Sequence, residues 1–150
     1  MKKFIWPLQR LLDIKVKQED FARIELVTIT EQIVIIRGQI MMQKMVLRNL
    51  FSELNQLDPQ QRTQRQRECM EYAHVTDAKI KTLHQNLEQA EQKRKNKIEE
   101  VVALRKLRKS LDQLRAKALI RYREEINQAE QKQLDESITT TFARKILMPV

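Results

Sequence analysis

The stretch NQLDPQQRTQRQRE, from Asn55 to Glu68, contains the strongest break in this chain of 150 residues. Proline removes a backbone donor and pushes the residue before it out of helical geometry. Asp58 can cap a new helix that has Pro59 at its first position. We therefore expect the chain to turn here, with a hairpin tip at about residues 58–70.

On the amino-terminal side of this break, apolar residues recur at alternating steps of three and four. They are Leu26, Ile29, Ile33, Ile36, Ile40, Leu47, Leu50, Leu54 and Leu57. Only Gln43 is a polar residue at a position of this frame, and the spacing is typical of a coiled-coil seam. The frame continues backward through Ala22, Glu19, Lys15, Leu12 and Leu8, so the seam becomes polar toward the amino end. The pattern predicts a first helix over about residues 4–57.

After the break, a similar apolar stripe continues with two or three phase slips. Its members are Ile80, Leu83, Leu87, Ala90, Ile98, Val101, Leu104, Leu107, Leu111, Leu114, Ala118, Tyr122, Ile126 and Ala129. Arg94 occupies one core position. Because no glycine or proline lies between Gln60 and Met148, nothing ends this helix early. The pattern predicts a second helix over about residues 70–147.

Two long helices, each with a narrow apolar stripe, can bury those stripes by folding back on each other. The predicted fold class is all-α, a long antiparallel two-helix coiled-coil hairpin that forms a single domain over residues 1–150. One glycine, three prolines and 5% aromatic residues argue against a compact bundle of many short elements. The second helix should overhang the first near Ile126 and beyond. We expect this overhang to have no intramolecular partner, so its helix needs another molecule to pack against.

The net charge of +9 allows acidic proteins, nucleic acid and anionic membranes as partners. The lone cysteine, Cys69, rules out an internal disulfide framework and favours a cytoplasmic location. The most apolar stretch, Ile33 to Leu47, carries Arg37 and Lys44, so we expect no membrane span.

Catalytic or metal chemistry is not indicated by any pattern in the sequence. A two-helix hairpin has no enclosed pocket, and a single glycine excludes a glycine-rich phosphate loop. His74 and His84 are ten residues apart, and Cys69 is not at ligand spacing to either. We therefore expect no enzyme activity, no catalytic or metal site and no cofactor. The basic run Arg105 to Ser110 could follow a phosphate backbone, but it lacks aromatic residues for base stacking, so we expect no nucleic acid partner.

Both ends of the chain resemble one protein family. The segments are KKFIWPLQRLLDIKVKQEDFARIEL near the start and RKSLDQLRAKALIRYREEINQAEQKQLDE near the end. The second segment has a leucine pair, a Tyr-Arg-Glu-Glu run and a terminal Glu-Gln-Lys-x-Leu-Asp-Glu. These features resemble the flagellar type III export stalk proteins, the FliJ family.

The resemblance implies a non-enzymatic coiled coil similar to the central stalk of rotary ATPases. Its paired termini would enter the pore of the hexameric export ATPase, and its hairpin end would reach the cytoplasmic part of the transmembrane export gate. It would be cytoplasmic, peripherally associated with the inner-membrane export apparatus, with export chaperones as further partners.

The positions that match the family's terminal segments, and would meet the ATPase, are Leu8, Leu11, Leu12, Asp13, Glu130, Gln131, Leu134, Asp135 and Glu136. Those that match its gate-binding positions are Gln39, Leu50 and Tyr72, whereas Gln43, Val46 and Thr76 depart from the residues expected there. Core packing is an equal explanation for Leu50. Three alternatives remain open: an injectisome stalk protein, a generic coiled-coil adaptor and a basic nucleic-acid-binding helix protein.

Overall fold

A computed structural model describes residues 2–148, and the helical part of this range consists of two α-helices. Helix α1 spans Gln9–Asn55 and helix α2 spans Pro59–Leu147. The two helices pack against each other as a helical hairpin, which confirms the predicted all-α, two-helix fold. The predicted domain bounds also include Met1, Pro149 and Val150, which lie outside the described residues.

The first helix begins at Gln9, later than the predicted start at about residue 4. Residues 2–6 are not helical, and residues 7–8 form a turn. Pro7 explains the difference, because proline disfavours the helical conformation of the residue before it. Two backbone hydrogen bonds lie at the start of the helix. The backbone N–H of Gln9 donates to the Trp6 carbonyl at 3.1 Å, and that of Leu12 donates to the Leu8 carbonyl at 3.0 Å.

The turn between the helices occupies only residues 56–58, so the predicted tip at about residues 58–70 is much too long. Pro59 is the first residue of α2, where its missing N–H would have no partner in any case. The Asp58 carbonyl accepts hydrogen bonds from the amides of Gln61 and Arg62, at 3.1 and 2.9 Å. Arg62 also donates its Nε to the Leu54 carbonyl at 3.4 Å, which satisfies one of the last carbonyls of α1.

The contacts divide the described chain into two units. One contains residues 19–103, including the turn, and the other contains residues 2–18 together with 104–148. In the first unit, the buried residues are Glu19, Ala22, Ile33, Ile40, Leu54, Cys69, Thr76 and Ala90. All the members of this set that lie in α1 occupy predicted seam positions, Glu19 included.

The seam of α2 in this unit differs from the predicted stripe. Its buried and half-buried residues are Cys69, Ala73, Thr76, Ile80, Leu83, Leu87, Ala90, Arg94, Lys97 and Val101. These positions alternate strictly by four and three, so none of the phase slips predicted along the stripe lies within residues 69–101. The side chain of Lys97 is only 19% exposed, whereas its apolar neighbour Ile98 is 40% exposed. The packing keeps its heptad register and accepts a lysine in the seam, because one step out of register would misalign every later contact.

In the other unit, α2 is covered only in part. Its half-buried residues there are Leu104, Arg108, Leu111, Ala118, Leu119, Tyr122 and Ile126. Every residue from 127 to 148 is exposed, as predicted for an overhang that starts near Ile126. Leu107 and Leu114 were predicted in the stripe but are about half exposed.

Candidate interaction surfaces

The amino-terminal segment, residues 2–8, lies against α2 rather than extending α1. The Phe4 and Tyr122 rings are 5.3 Å apart between centroids and tilted by 53°, a favourable aromatic arrangement. Arg115 sits 5.9 Å above the Phe4 ring and donates its Nε to Gln9 at 2.7 Å. The Tyr122 hydroxyl donates to the Lys2 carbonyl. These contacts fix the segment to the stretch of α2 just before the overhang.

The four predicted ATPase-binding residues near the start of the chain do not share one environment. Leu8 and Leu11 are exposed apolar side chains. Asp13 is exposed, and its Oδ1 accepts a hydrogen bond from the side-chain Nε2 of Gln9 at 3.0 Å. Leu12 is only 5% exposed and packs in the seam, so its side chain is not available to a partner.

The predicted residues near the end of the chain all lie on the overhang, which we call the tail helix and define as residues 127–147. Glu130, Gln131, Leu134, Asp135 and Glu136 are all exposed. Leu134 belongs to a row of exposed apolar residues at steps of four. The row consists of Leu134, Ile138, Phe142 and Ile146, each between 62 and 65% exposed.

This row follows one side of the helix, because side chains four residues apart lie nearly above one another. Sequence reasoning missed its last three members. They lie beyond the motif that carried the family resemblance, although their spacing was visible.

The tail helix is held mainly by its own backbone bonds. Thr139, Thr140 and Thr141 each donate a side-chain hydrogen bond to the carbonyl four residues earlier, at 2.7 to 2.8 Å. Such bonds occur in helices, but β-branched residues have lower helix propensity. Because most helical stability in proteins comes from the packing of an amphipathic face, packing by another molecule would stabilise this unpacked stretch of helix.

A second surface is a groove of about 690 Å³ along one side of the helix pair, within the unit that contains the turn. Its lining residues are Gln39, Gln43, His74, Val75, Ala78, Lys79, Thr82 and Leu83. Of the three predicted gate-binding residues, only Gln39 lines it. Leu50 and Tyr72 continue the same side of each helix toward the turn, since 39, 43, 46 and 50, and likewise 72, 75, 79 and 82, follow steps of three and four.

Thr76, where the resemblance led us to expect a different residue, is a seam residue in this structure. Its side chain is 2% exposed and donates to the Tyr72 carbonyl at 2.9 Å. Tyr72 itself is exposed, and Leu50 is half-buried.

Ion pairs between the two helices mark the antiparallel register of this unit. Arg37 and Glu91 are 3.0 Å apart, and Lys97 contacts Glu25 across the pair. Lys97 also lies 2.9 Å from Glu100, on its own helix. The hydrogen bonds from Lys97 to Glu25 and then to Glu100 raise the lysine pKa above its ordinary value of 10.5, so the ammonium form persists in the seam.

Within residues 2–148, no group of three or more His, Cys, Asp or Glu side chains is placed to hold a metal ion. Cys69 is a buried free thiol in the seam. Neither helix, over the same residues, contains a stretch long and apolar enough to cross a membrane.

A helical hairpin with an exposed helical tail and open surface grooves is a structure typical of a coiled-coil interaction protein. A family model described as "Flagellar FliJ protein" matches residues 3–146. The chain therefore belongs to the FliJ family, whose members are structural components of the flagellar export apparatus. Comparisons with curated proteins and with solved structures gave no match. Family membership decides against a generic adaptor and in favour of flagellar protein export.

Proposed function

We propose that this protein is a non-enzymatic stalk that inserts its terminal region into the ring of the hexameric export ATPase and couples that ring to the cytoplasmic part of the export gate. The observation that carries the proposal is the tail helix. All of its residues are exposed, it has an apolar row along one side, and it continues directly from the part of α2 that holds the amino-terminal segment.

The dimensions of the tail helix suit insertion into a ring. Its 21 residues, 127–147, extend about 32 Å at 1.5 Å per residue, and a single helix with side chains is about 10–12 Å wide. The apolar row can contact subunits that line a pore, and Glu130, Asp135 and Glu136 add negative charge on the first turns. Packing of this row would supply the stabilisation that the isolated tail lacks.

The start of the chain would contribute the second half of the ATPase contact. Leu8 is the last residue of the segment that covers α2 around Tyr122, Leu11 and Asp13 follow it at the start of α1, and all three are exposed. Leu12 would act differently from the other predicted contacts. Because it is buried, it would position its exposed neighbours rather than touch the ring.

A stalk can affect a ring of identical subunits only by contacting them unequally, so that they differ in affinity for it. The tail helix can contact the subunits unequally, because its apolar row lies on one side of the helix only. The ring would therefore respond to the orientation of the stalk.

The gate contact is proposed for the groove that Gln39 lines and for its continuation through Leu50 and Tyr72. The groove is open and lined by both polar and apolar side chains, and Tyr72 supplies an exposed aromatic residue near its turn-proximal end. Tyrosine is enriched at protein interfaces, where its ring and hydroxyl both find partners.

The ATPase contact is tested with the full-length double variant Leu134→Asp/Ile138→Asp, in which two charges replace half of the apolar row. We expect at least a tenfold loss of affinity for the export ATPase and loss of its stimulation, with the seam helices still formed by circular dichroism. The matched control is Val102→Asp, an exposed apolar residue of α2 outside the proposed contact. Full stimulation by the double variant would contradict the proposed insertion.

The gate contact is tested separately with Gln39→Ala/Tyr72→Ala and the cytoplasmic part of the export gate. We expect weaker gate binding with unchanged ATPase binding. Phe51→Ala is the control, because Phe51 is an aromatic residue close to the turn with exposure similar to that of Tyr72. Equal gate affinity for the double variant and the wild type would remove the groove from the proposal.

A further inference from the structure

The outer side of α1, opposite the seam, is apolar over residues 21–45. We call it the outer face of α1. Its large apolar side chains, each more than half exposed, are Phe21, Ile24, Val27, Val34, Ile35, Met41, Met42 and Met45. Apolar residues scattered singly on a surface need no explanation, but a continuous exposed patch marks an interaction site.

The outer face has the spacing of a second seam. Its central row is Phe21, Ile24, Thr28, Glu31, Ile35, Gly38, Met42 and Met45, at alternating steps of three and four. Val27, Val34 and Met41 lie beside this row. Glu31 is the single charged residue within it. Heptad spacing of this kind fits another helix that lies along α1.

Gly38 gives independent support for a close helical neighbour. It is the only glycine of the chain, it lies in the middle of the outer face, and glycine destabilises a helix interior relative to alanine. A Cβ built at this position meets nothing within 4 Å. The packing of the chain on itself therefore does not require glycine here, whereas close approach by the backbone of another molecule would.

The methionines of the outer face also support an interaction site. Three of the six methionines of the chain, Met41, Met42 and Met45, surround Gly38 on its carboxy-terminal side. Methionine is flexible and polarizable, and it is over-represented on binding surfaces that accept different partners.

One edge of the outer face is basic, and this decides between possible occupants. Arg23, Arg37 and Lys44 lie along that edge in heptad positions. Arg23 and Arg37 pair with Glu19 and Glu91 at 2.7 and 3.0 Å, yet both arginine side chains stay more than half exposed.

A second copy of the chain would bring another net charge of +9 to this surface, and antiparallel pairing would set the basic edge against itself. A lipid surface would have to accept Glu31 in the middle of the apolar row. A helix with acidic residues along one side avoids both costs.

We propose that the outer face of α1 is a docking surface for an amphipathic helix of another protein, one that carries acidic residues beside its apolar stripe. The surface is 25 residues long, or about 37 Å. Its eight exposed apolar side chains would bury on the order of 800 Å² of this protein's surface, which is the area that each partner typically contributes to a specific interface. This proposal does not rest on the ATPase or gate contacts, because it uses none of the residues assigned to them.

The test uses the full-length protein with ¹³C-labelled methionine methyl groups and two synthetic helical peptides. Both peptides carry the same leucine stripe, but one has glutamate and the other lysine along the stripe. We expect the glutamate peptide to shift the methyl signals of Met41, Met42 and Met45 while those of Met70 and Met148 stay in place. The lysine peptide should bind at least tenfold more weakly.

Variants then locate the binding. Gly38→Leu, whose Cβ would meet no atom within 4 Å in the free protein, and Ile35→Asp should each weaken binding of the glutamate peptide at least tenfold. Val102→Asp on α2, an exposed apolar residue that belongs neither to the outer face nor to the groove, should leave binding unchanged.

The proposal is overturned if neither peptide binds, if both bind equally or if Met70 responds as strongly as Met42. It is also overturned if sedimentation shows self-association that Gly38→Leu abolishes, since a second copy would then occupy the face. Flotation of the wild type, but not of Ile35→Asp, with phosphatidylserine-containing vesicles would assign the face to a membrane surface instead.

Discussion

Replacing Arg94 with leucine should make the hairpin more stable, because this arginine occupies a seam position that the packing does not satisfy. Arg94 continues the strict alternation of four and three along α2, between Ala90 and Lys97. Its Nε is buried and has no hydrogen-bond partner among the described residues. A buried donor without a partner costs about 1–3 kcal/mol of folding free energy.

The expected gain follows from three terms. Leucine removes the unsatisfied donor, and a fully buried leucine side chain contributes about 1.5–3 kcal/mol. Part of this is already present, because the methylene groups of an arginine also pack against apolar neighbours. Helix propensity contributes almost nothing, since leucine and arginine are similar. The net prediction is an increase of about 1–3 kcal/mol in the free energy of unfolding.

Urea unfolding monitored by circular dichroism measures this change. With a slope of about 2 kcal/mol per molar urea, the midpoint of Arg94→Leu should rise by about 0.5–1.5 M. Lys95→Leu is the matched control, because the adjacent Lys95 is exposed and its replacement should change the unfolding free energy by less than about 0.5 kcal/mol. A lower midpoint for Arg94→Leu than for the wild type would refute the assignment of Arg94 to an unsatisfied seam position.

Ile33→Ala should lower the unfolding free energy measured in urea by about 2–4 kcal/mol, because Ile33 is 1% exposed. The control Val34→Ala should change it by less than about 0.5 kcal/mol, and similar losses for the two variants would show that the seam does not pass through Ile33. Gly38→Ala should raise the free energy of unfolding by about 1 kcal/mol, and with it the thermal midpoint, since the added Cβ meets no atom within 4 Å. A destabilised variant would mean that the backbone needs glycine at this position. Glu25 and Glu100 raise the pKa of Lys97, so its stabilisation is complete below the ordinary lysine value of 10.5 and is lost as the pH rises through the raised value. The difference in urea midpoint between the wild type and Lys97→Gln should therefore be constant from neutral pH to about pH 10 and shrink above it; a difference that shrinks below pH 9 would contradict the ion pair.

The fold could be predicted to a large extent because coiled-coil packing is periodic. The frame read from Leu26 to Leu57 recovers the buried positions Ile33, Ile40 and Leu54 and extends correctly to Ala22 and Glu19. It works even where the residue is charged, since the geometry of the helix fixes which positions face the partner.

The second helix shows where pattern reading fails. Following apolar residues led to Ile98, whereas the seam continues through Lys97. A lysine with a flexible stem can pack its methylene groups in the seam and extend its ammonium group to Glu25 and Glu100. Hydrophobicity alone assigns such a position to the surface, although the unbroken steps of four and three along α2 would have identified it.

The amino-terminal segment and the interaction surfaces were less predictable for different reasons. Residues 2–8 are placed by contacts of Phe4 and Arg115, which are far apart in the sequence and leave no periodic signal. The predicted ATPase-binding and gate-binding residues came from the family resemblance, which gives positions but not burial, and so Leu12 was grouped with exposed neighbours.

Amide hydrogen exchange in the tail helix, with and without the export ATPase, tests the central proposal most directly. In the free protein, amides of residues 127–147 should exchange much faster than those of the seam residues 80–101, since the tail has no packing partner. Addition of the ATPase ring should slow exchange in the tail at least tenfold and leave the seam amides unchanged. Tail amides that are already protected in the free protein, or that stay unprotected when the ring is saturated with stalk, would contradict the proposal that the tail helix is the part the ATPase binds.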